Sequence, residues 1–235
     1  MNAESVATAV LRDGLLEGVS ILLAGVLSDS AASDGGLAGA ARTVGDTCAE
    51  LGASVHACAL LAGGAPEQDD GAVEQAVTAA LAVGCGVQML VVDAAALFAA
   101  ETEAIAQSVP GMAQASGLID ALEASWRVTR AVANAAFIAD GEGKGGEGRI
   151  VYLAPPTVAV GGEARAHADA TRAGLENLAR TLSIEWARYG ITPVSIATGP
   201  HTTAEELAGV VAYLASPAGD YFSGCQLDLR GTSAR

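Results

Sequence analysis

The chain has 235 residues, 51% hydrophobic but only 4% aromatic, and 27 acids against 12 bases give it a formal net charge of −15. That length suits one domain with a well-buried core, and the core must come from Ala, Val, Leu and Ile, a mix that lets helices lie close on a sheet. So acidic a surface repels phosphate backbones and argues against nucleic acid as a partner, and no apolar stretch reaches the roughly 20 residues that cross a bilayer.

Residues 1–18 read as an N-terminal lead-in; Glu4, Arg12 and Asp13 precede any apolar run, which does not fit a signal peptide. Cys48, Cys58, Cys85 and Cys225 form no C-x-x-C pair and read as small buried hydrophobes in a reducing compartment, so the expected location is cytoplasmic. Val19–Ala24 is the first predicted strand, followed by a loop rich in Ser, Asp and Gly. A helix is predicted over Gly36–Leu51, stopped by Gly52, then a strand over Ser54–Leu60, a helix over Ala72–Val83 and a strand over Val87–Val92. Helical spacing runs over Ile119–Ile138 into a Gly-rich turn at Gly141–Gly148. Arg149–Leu153 is the next strand, broken by Pro155 and Pro156, and a long amphipathic helix covers Ala164–Ala187. Pro193–Ala197, Ala204–Leu214 and Cys225–Leu229 close the chain as strand, helix and strand. Such alternation predicts an α/β fold, a Rossmann-like doubly wound parallel sheet in a single domain over 1–235.

The segment Arg172 to Gly199 (RAGLENLARTLSIEWARYGITPVSIATG) and the closing stretch Glu205 to Gly231 resemble the short-chain dehydrogenase/reductase family, as do the strand Gly148 to Ala154 and the helix before it. The resemblance spans most of the chain from about residue 19. It implies that family's fold, its oligomer built on paired long helices, and a site with a Tyr proton donor, a Lys four residues on, a Ser on the preceding strand and an Asn on an earlier helix. The cation lowers the phenol pKa, and the Ser orients the substrate oxygen.

Carried over by position, the Lys place is Arg172, the Tyr place Ala168, the Ser place Pro155 and the Asn place Ala121. Alanine and proline cannot exchange protons, and Arg is a poor replacement for a Lys that tunes a phenol. A check without alignment agrees. Lys144 is the sole lysine, and the residues four beyond Tyr152, Tyr189, Tyr213 and Tyr221 are Pro156, Pro193, Pro217 and Cys225.

The glycine-rich cofactor loop maps onto Gly35, Gly39 and Ala41, behind an insertion carrying Asp29 and Asp34 whose charge opposes a diphosphate. The second strand ends in Cys58-Ala59-Leu60 rather than in an acid or base for the cofactor ribose, and the family's Asn-Asn-Ala-Gly turn is Asp93-Ala94-Ala95-Ala96. The short link from Thr198-Gly199-Pro200 to the next helix implies a shortened substrate lid. This chain is therefore expected to bind no cofactor and no metal; His56 has no Cys or His at ligand spacing.

The resemblance further implies that the helices Ile119–Ile138 and Ala164–Ala187 pair with a partner, through Trp126, Arg130, Leu175, Leu178, Leu182, Glu185 and Trp186. The leading expectation is a non-catalytic, pseudoenzyme subunit. It would pair with an active paralogue holding NAD or NADP, in a heterotetrameric hydroxyacyl/ketoacyl oxidoreductase. Two alternatives stand beside it. One is an enzyme doing cofactor-free isomerisation, dehydration or cyclisation, with His167, Arg172, Tyr152 or Asp93 lining a closed pocket. The other is a homo-oligomeric binding protein.

Overall fold

A computed structural model describes residues 11–26, 37, 39–60, 66–82, 86–100, 113–138, 148–156 and 163–231. Six strands, β1 (Ser20–Gly25), β2 (Ser54–Ala59), β3 (Met89–Val92), β4 (Arg149–Ala154), β5 (Thr192–Thr198) and β6 (Cys225–Leu229), form one sheet in the order β2-β1-β3-β4-β5-β6. Every neighbouring pair is parallel. The doubly wound prediction holds, with strand ends within two residues of the expected ones. The order reverses direction between β1 and β3, which makes their C-terminal ends the switch point of the sheet.

Among the described residues the helices that flank it are α1 (Gly39–Glu50), α2 (Pro66–Ala82), α3 (Ala113–Val132), α4 (Glu163–Glu185) and α5 (Ala204–Ala215). Residues 94–100 are also helical. The central strands are apolar at successive positions because both faces are covered. Ile21, Leu23, Met89, Val91, Val151, Leu153, Val194 and Ile196 point to the layer of α1 and α5. Leu22, Ala24, Leu90, Val92, Ile150, Tyr152 and Ala154 point to the layer of α2, α3 and α4.

Several boundaries differ from expectation. α2 begins at Pro66, six residues earlier than predicted, with Pro in a position that needs no amide donor. α3 starts at Ala113 and passes into a π-helical turn, Ala133–Phe137, before Ile138. Gly148 meets this turn: a Cβ there would lie 2.5 Å from the Phe137 ring, so only glycine admits the aromatic side chain. The turn expected at Gly141–Gly148 falls outside the described residues except for its last glycine. The lead-in is part of the fold where it is described, because Leu16 is fully buried and its amide donates to Leu51 O at 2.9 Å.

Candidate functional site

The Tyr, Lys, Ser and Asn places lie at the C-terminal end of β4 and on the two helices above it. Ala121 on α3 is fully buried, Ala168 on α4 is 3% exposed, and Pro155 directly after β4 is buried. Arg172, one turn beyond Ala168, is 6% exposed. Its guanidinium donates to Pro155 O at 3.2 Å and to the Asp169 carboxylate. The structure thus joins the Lys and Ser places directly, by an arginine bound to a backbone carbonyl. Burial draws the Arg172 pKa below its usual value; the positive charges of Arg230 and Arg165 draw it further, and Asp228 offsets part of the effect.

Two features close the strand ends beside it. The link from β5 to α5 is a short turn in which Thr202 Oγ1 accepts from Gly199 N at 2.9 Å and donates to Leu229 O at 2.7 Å. Thr203 then starts α5 with a reciprocal cap: its hydroxyl accepts from Glu206 N, and Glu206 accepts from Thr203 N. Gly199 packs so closely that a Cβ would lie 2.7 Å from Arg230 O.

At the switch point stands Asp93, 1% exposed. One carboxylate oxygen accepts from Ala96 N at 2.9 Å, capping helix 94–100, and the other accepts from Ala41 N at 3.2 Å in the first turn of α1. A Cβ on Gly25 would lie 3.3 Å from the Asp93 Cβ, and one on Gly39, whose φ is +62°, would lie 3.7 Å from Oδ2. Asp93 therefore ties the first turn of α1 to helix 94–100 at the switch point of the sheet. Burial raises the Asp93 pKa, and the amides of Ala96, Ala41 and Ala95 oppose the rise. Of the three cofactor-loop positions, Gly39 and Ala41 thus surround Asp93, while Gly35, Asp29 and Asp34 lie outside the described residues, as does Lys144.

The residues named for a closed reactive pocket sit in separate surroundings, which corrects that expectation. Tyr152 is fully buried, its hydroxyl 2.9 Å from Thr129 Oγ1, and burial pushes its phenol pKa up. Asp93 is bound by amides, and Arg172 by Pro155 and Asp169. His167 has a buried Nδ1 without a hydrogen-bond partner. A cavity of about 580 Å³, lined in part by Val19, Gln88, Ala136 and Arg149, opens at the opposite, N-terminal end of the strands.

Of the stripe expected to meet a partner, Leu175 and Leu182 need correction. Leu175 is fully buried and Leu182 is 1% exposed, both inside this chain's own core. Leu178 packs against that core, and Trp126 and Trp186 stack on each other with ring centroids 6.1 Å apart. Arg130 and Glu185 are exposed. The outward line of α4 is instead Ala166, Ala170, Ala173, Asn177, Thr181 and Ile184.

Among the described residues no group of three His, Cys, Asp or Glu side chains could hold a metal ion, and no helix is long and apolar enough to cross a membrane. His56 is half-buried on β2, and its Nε2 has no hydrogen-bond partner. Cys48 and Cys58 are buried, Cys225 is half-buried, and Cys85 lies outside the described residues.

Asp93 was visible in the sequence only as a departure from a turn motif; its place after an apolar strand and before a helical run was the signal for a cap. Nothing in the sequence marked the bridge made by Thr202.

No protein-family model and no curated protein matches the chain. Among solved structures, a citronellol catabolism dehydrogenase of Pseudomonas aeruginosa PAO1 is similar over 94% of this chain and 96% of its own, with 21% identity and a TM-score of 0.64. A short chain dehydrogenase from Mycobacterium smegmatis is similar over 95% of this chain and 97% of its own, with 20% identity and a TM-score of 0.65. At this identity the likeness establishes architecture: the chain has the single-domain, Rossmann-like fold of short-chain dehydrogenases.

Proposed function

We propose that this chain is a non-catalytic subunit that pairs with an active, NAD(P)-dependent chain of the same fold in a hydroxyacyl/ketoacyl oxidoreductase. The observation that carries this reading is Arg172. At the place of the lysine, it is spent on Pro155 O and Asp169, with Ala168 and not a phenol one turn away.

The residues present do not fit a dinucleotide. A diphosphate at the first turn of α1 would meet the Asp93 carboxylate, which already takes the Ala41 amide. The cofactor and the proton chemistry are therefore assigned to the partner. Partnering draws support from Ile119 and Ile184, 61% and 74% exposed on α3 and α4, since large apolar side chains on a helix pair favour a covering surface.

The test is co-expression with homologous chains that carry an intact Tyr-x-x-x-Lys pair, followed by size-exclusion chromatography and assay with a 3-ketoacyl thioester and NAD(P)H. The expected result is a mixed complex that turns over and an isolated chain that does not. Turnover by the isolated chain, or the absence of any mixed complex with the homologues of its own host, would sink the reading.

A further inference from the structure

Among the described residues the sheet ends in β6 on one side and β2 on the other, and the two edges differ in kind. An edge strand presents a row of backbone donors and acceptors that invites pairing, and proteins guard it with charge, proline or a bulge. β6 carries Asp228, whose carboxylate holds the Arg230 guanidinium through both oxygens at 2.8 and 2.5 Å. β2 reads Ser-Val-His-Ala-Cys-Ala, with neither charge nor proline, and its register with β1 runs unbroken from Ser54 to Ala59.

The outer side of β2 is open and shaped. Ser54 N and Leu60 N donate to Val19 O and Gly25 O, so the even-numbered residues bond inward. Val55, Ala57 and Ala59 therefore turn their backbone groups outward. Ala57 is exposed in mid-strand. A groove of about 320 Å³ lies between this edge and α1, lined by Leu23, Leu37, Val55, Ala57, Arg42 and Asp46 among others. α1 packs against α5, while Arg42, Asp46 and Ala49 on its groove side are exposed.

We infer that β2 is the seat of a second copy of this chain. Two β2 strands pair antiparallel about a two-fold axis and join the two sheets into one, with the α1 helices side by side above. An axis at the level of His56 sets Val55 of each copy opposite Ala57 of the other, bonded through outward groups on both sides. α1 lies over both β1 and β2. With strands about 4.8 Å apart, the two α1 helices come to about 10 Å, an ordinary helix packing distance. Gly45 lies over Leu23 and Val55, where a Cβ would be 2.8 and 3.6 Å from their side chains, so mid-α1 stands level with mid-β2. Arg42, steadied by Nε donating to Leu37 O at 3.2 Å, and Asp46 lie on either side of that level. Antiparallel helices thus set Arg42 of each copy against Asp46 of the other. The charge pattern is self-complementary, as a two-fold contact requires. The strand itself adds no repulsion between chains of net charge −15. This layer faces away from α3 and α4, so the contact is separate from the proposed pairing with an active chain.

Light scattering on the isolated full-length chain during size-exclusion chromatography tests it, at about 100 μM, where a micromolar contact is filled. Ala57→Pro removes an outward amide that β1 does not use and is expected to halve the mass of the species formed, with thermal melts to check folding. Arg42→Asp sets acid against acid across the axis, and Asp46→Arg base against base, so each should weaken self-association about tenfold. Mixed together, the two variants restore opposite charges at both crossings. They are expected to form a mixed dimer, captured by a tag on one of them, more tightly than either pairs with itself. A monomeric wild type, an unchanged mass in folded Ala57→Pro, or a mixture no tighter than its components would each overturn the proposal. Should Ala57→Pro fail to fold, the mixing experiment decides. Failure here would leave the subunit reading standing, because that complex forms through α3 and α4 and is assayed with another chain.

Discussion

Asp93 accepts amides from two helices while buried away from water, and the two influences pull its titration in opposite directions. Burial wins, so its folded pKa lies above the unfolded value of about 3.9. The folded state therefore binds this proton more tightly than the unfolded chain does. The resulting stability is fully present below the unfolded pKa and is lost as pH rises through the folded one. Urea melts of the wild type and Asp93→Asn, stepped upward from about pH 4, should show a decline in the wild type that the neutral variant lacks. Parallel curves would show that the amides, and not burial, set its charge. Tyr152 offers a simpler case. Tyr152→Phe leaves the Thr129 hydroxyl without its partner in a fully buried position and is expected to cost about 1 kcal/mol, read from the shift in urea midpoint.

Contacts between elements depend on small residues at close approaches. Gly174 on α4 faces Leu122 on α3, and a Cβ there would lie 2.8 Å from a Leu122 methyl. Gly174→Val is expected to push α3 and α4 apart and to cost about 1–3 kcal/mol in a thermal or urea melt. A variant as stable as the wild type would mean that Leu122 simply turns away. At the start of α5, Thr203→Ala removes one half of a reciprocal cap and should cost about 1 kcal/mol in the same measurement. The strands could be read from the sequence because each central one is apolar on both faces, as in Ile21 to Ala24 and Met89 to Val92. Helix ends were less legible. Pro66 and the acids after it are a start signal, but they precede the apolar periodicity that defines the rest of α2. Leu175 and Leu182 show the remaining ambiguity: an apolar stripe on a helix does not say whether it faces its own sheet or a neighbour.

For the molecule as a whole, the six-stranded order and its switch point followed from the alternation of elements, but the contents of the switch point did not. Asp93 and Ala41 are 52 residues apart in sequence, and no local pattern joins them. The same holds for Arg172 and Pro155, 17 residues apart, whose contact no local pattern announces. The carboxylate at the switch point also bears on how the protein responds to its surroundings. A fold that takes a mobile nucleotide is stabilised by mass action, so its melting temperature rises with nucleotide concentration. On the proposed reading the switch point holds the carboxyl group of Asp93 instead, present in one copy per molecule and never diluted. Millimolar NAD(H) or NADP(H) is accordingly expected to leave the melting temperature of the isolated chain where it is. Its folded population would then be independent of the nucleotide supply of the cell.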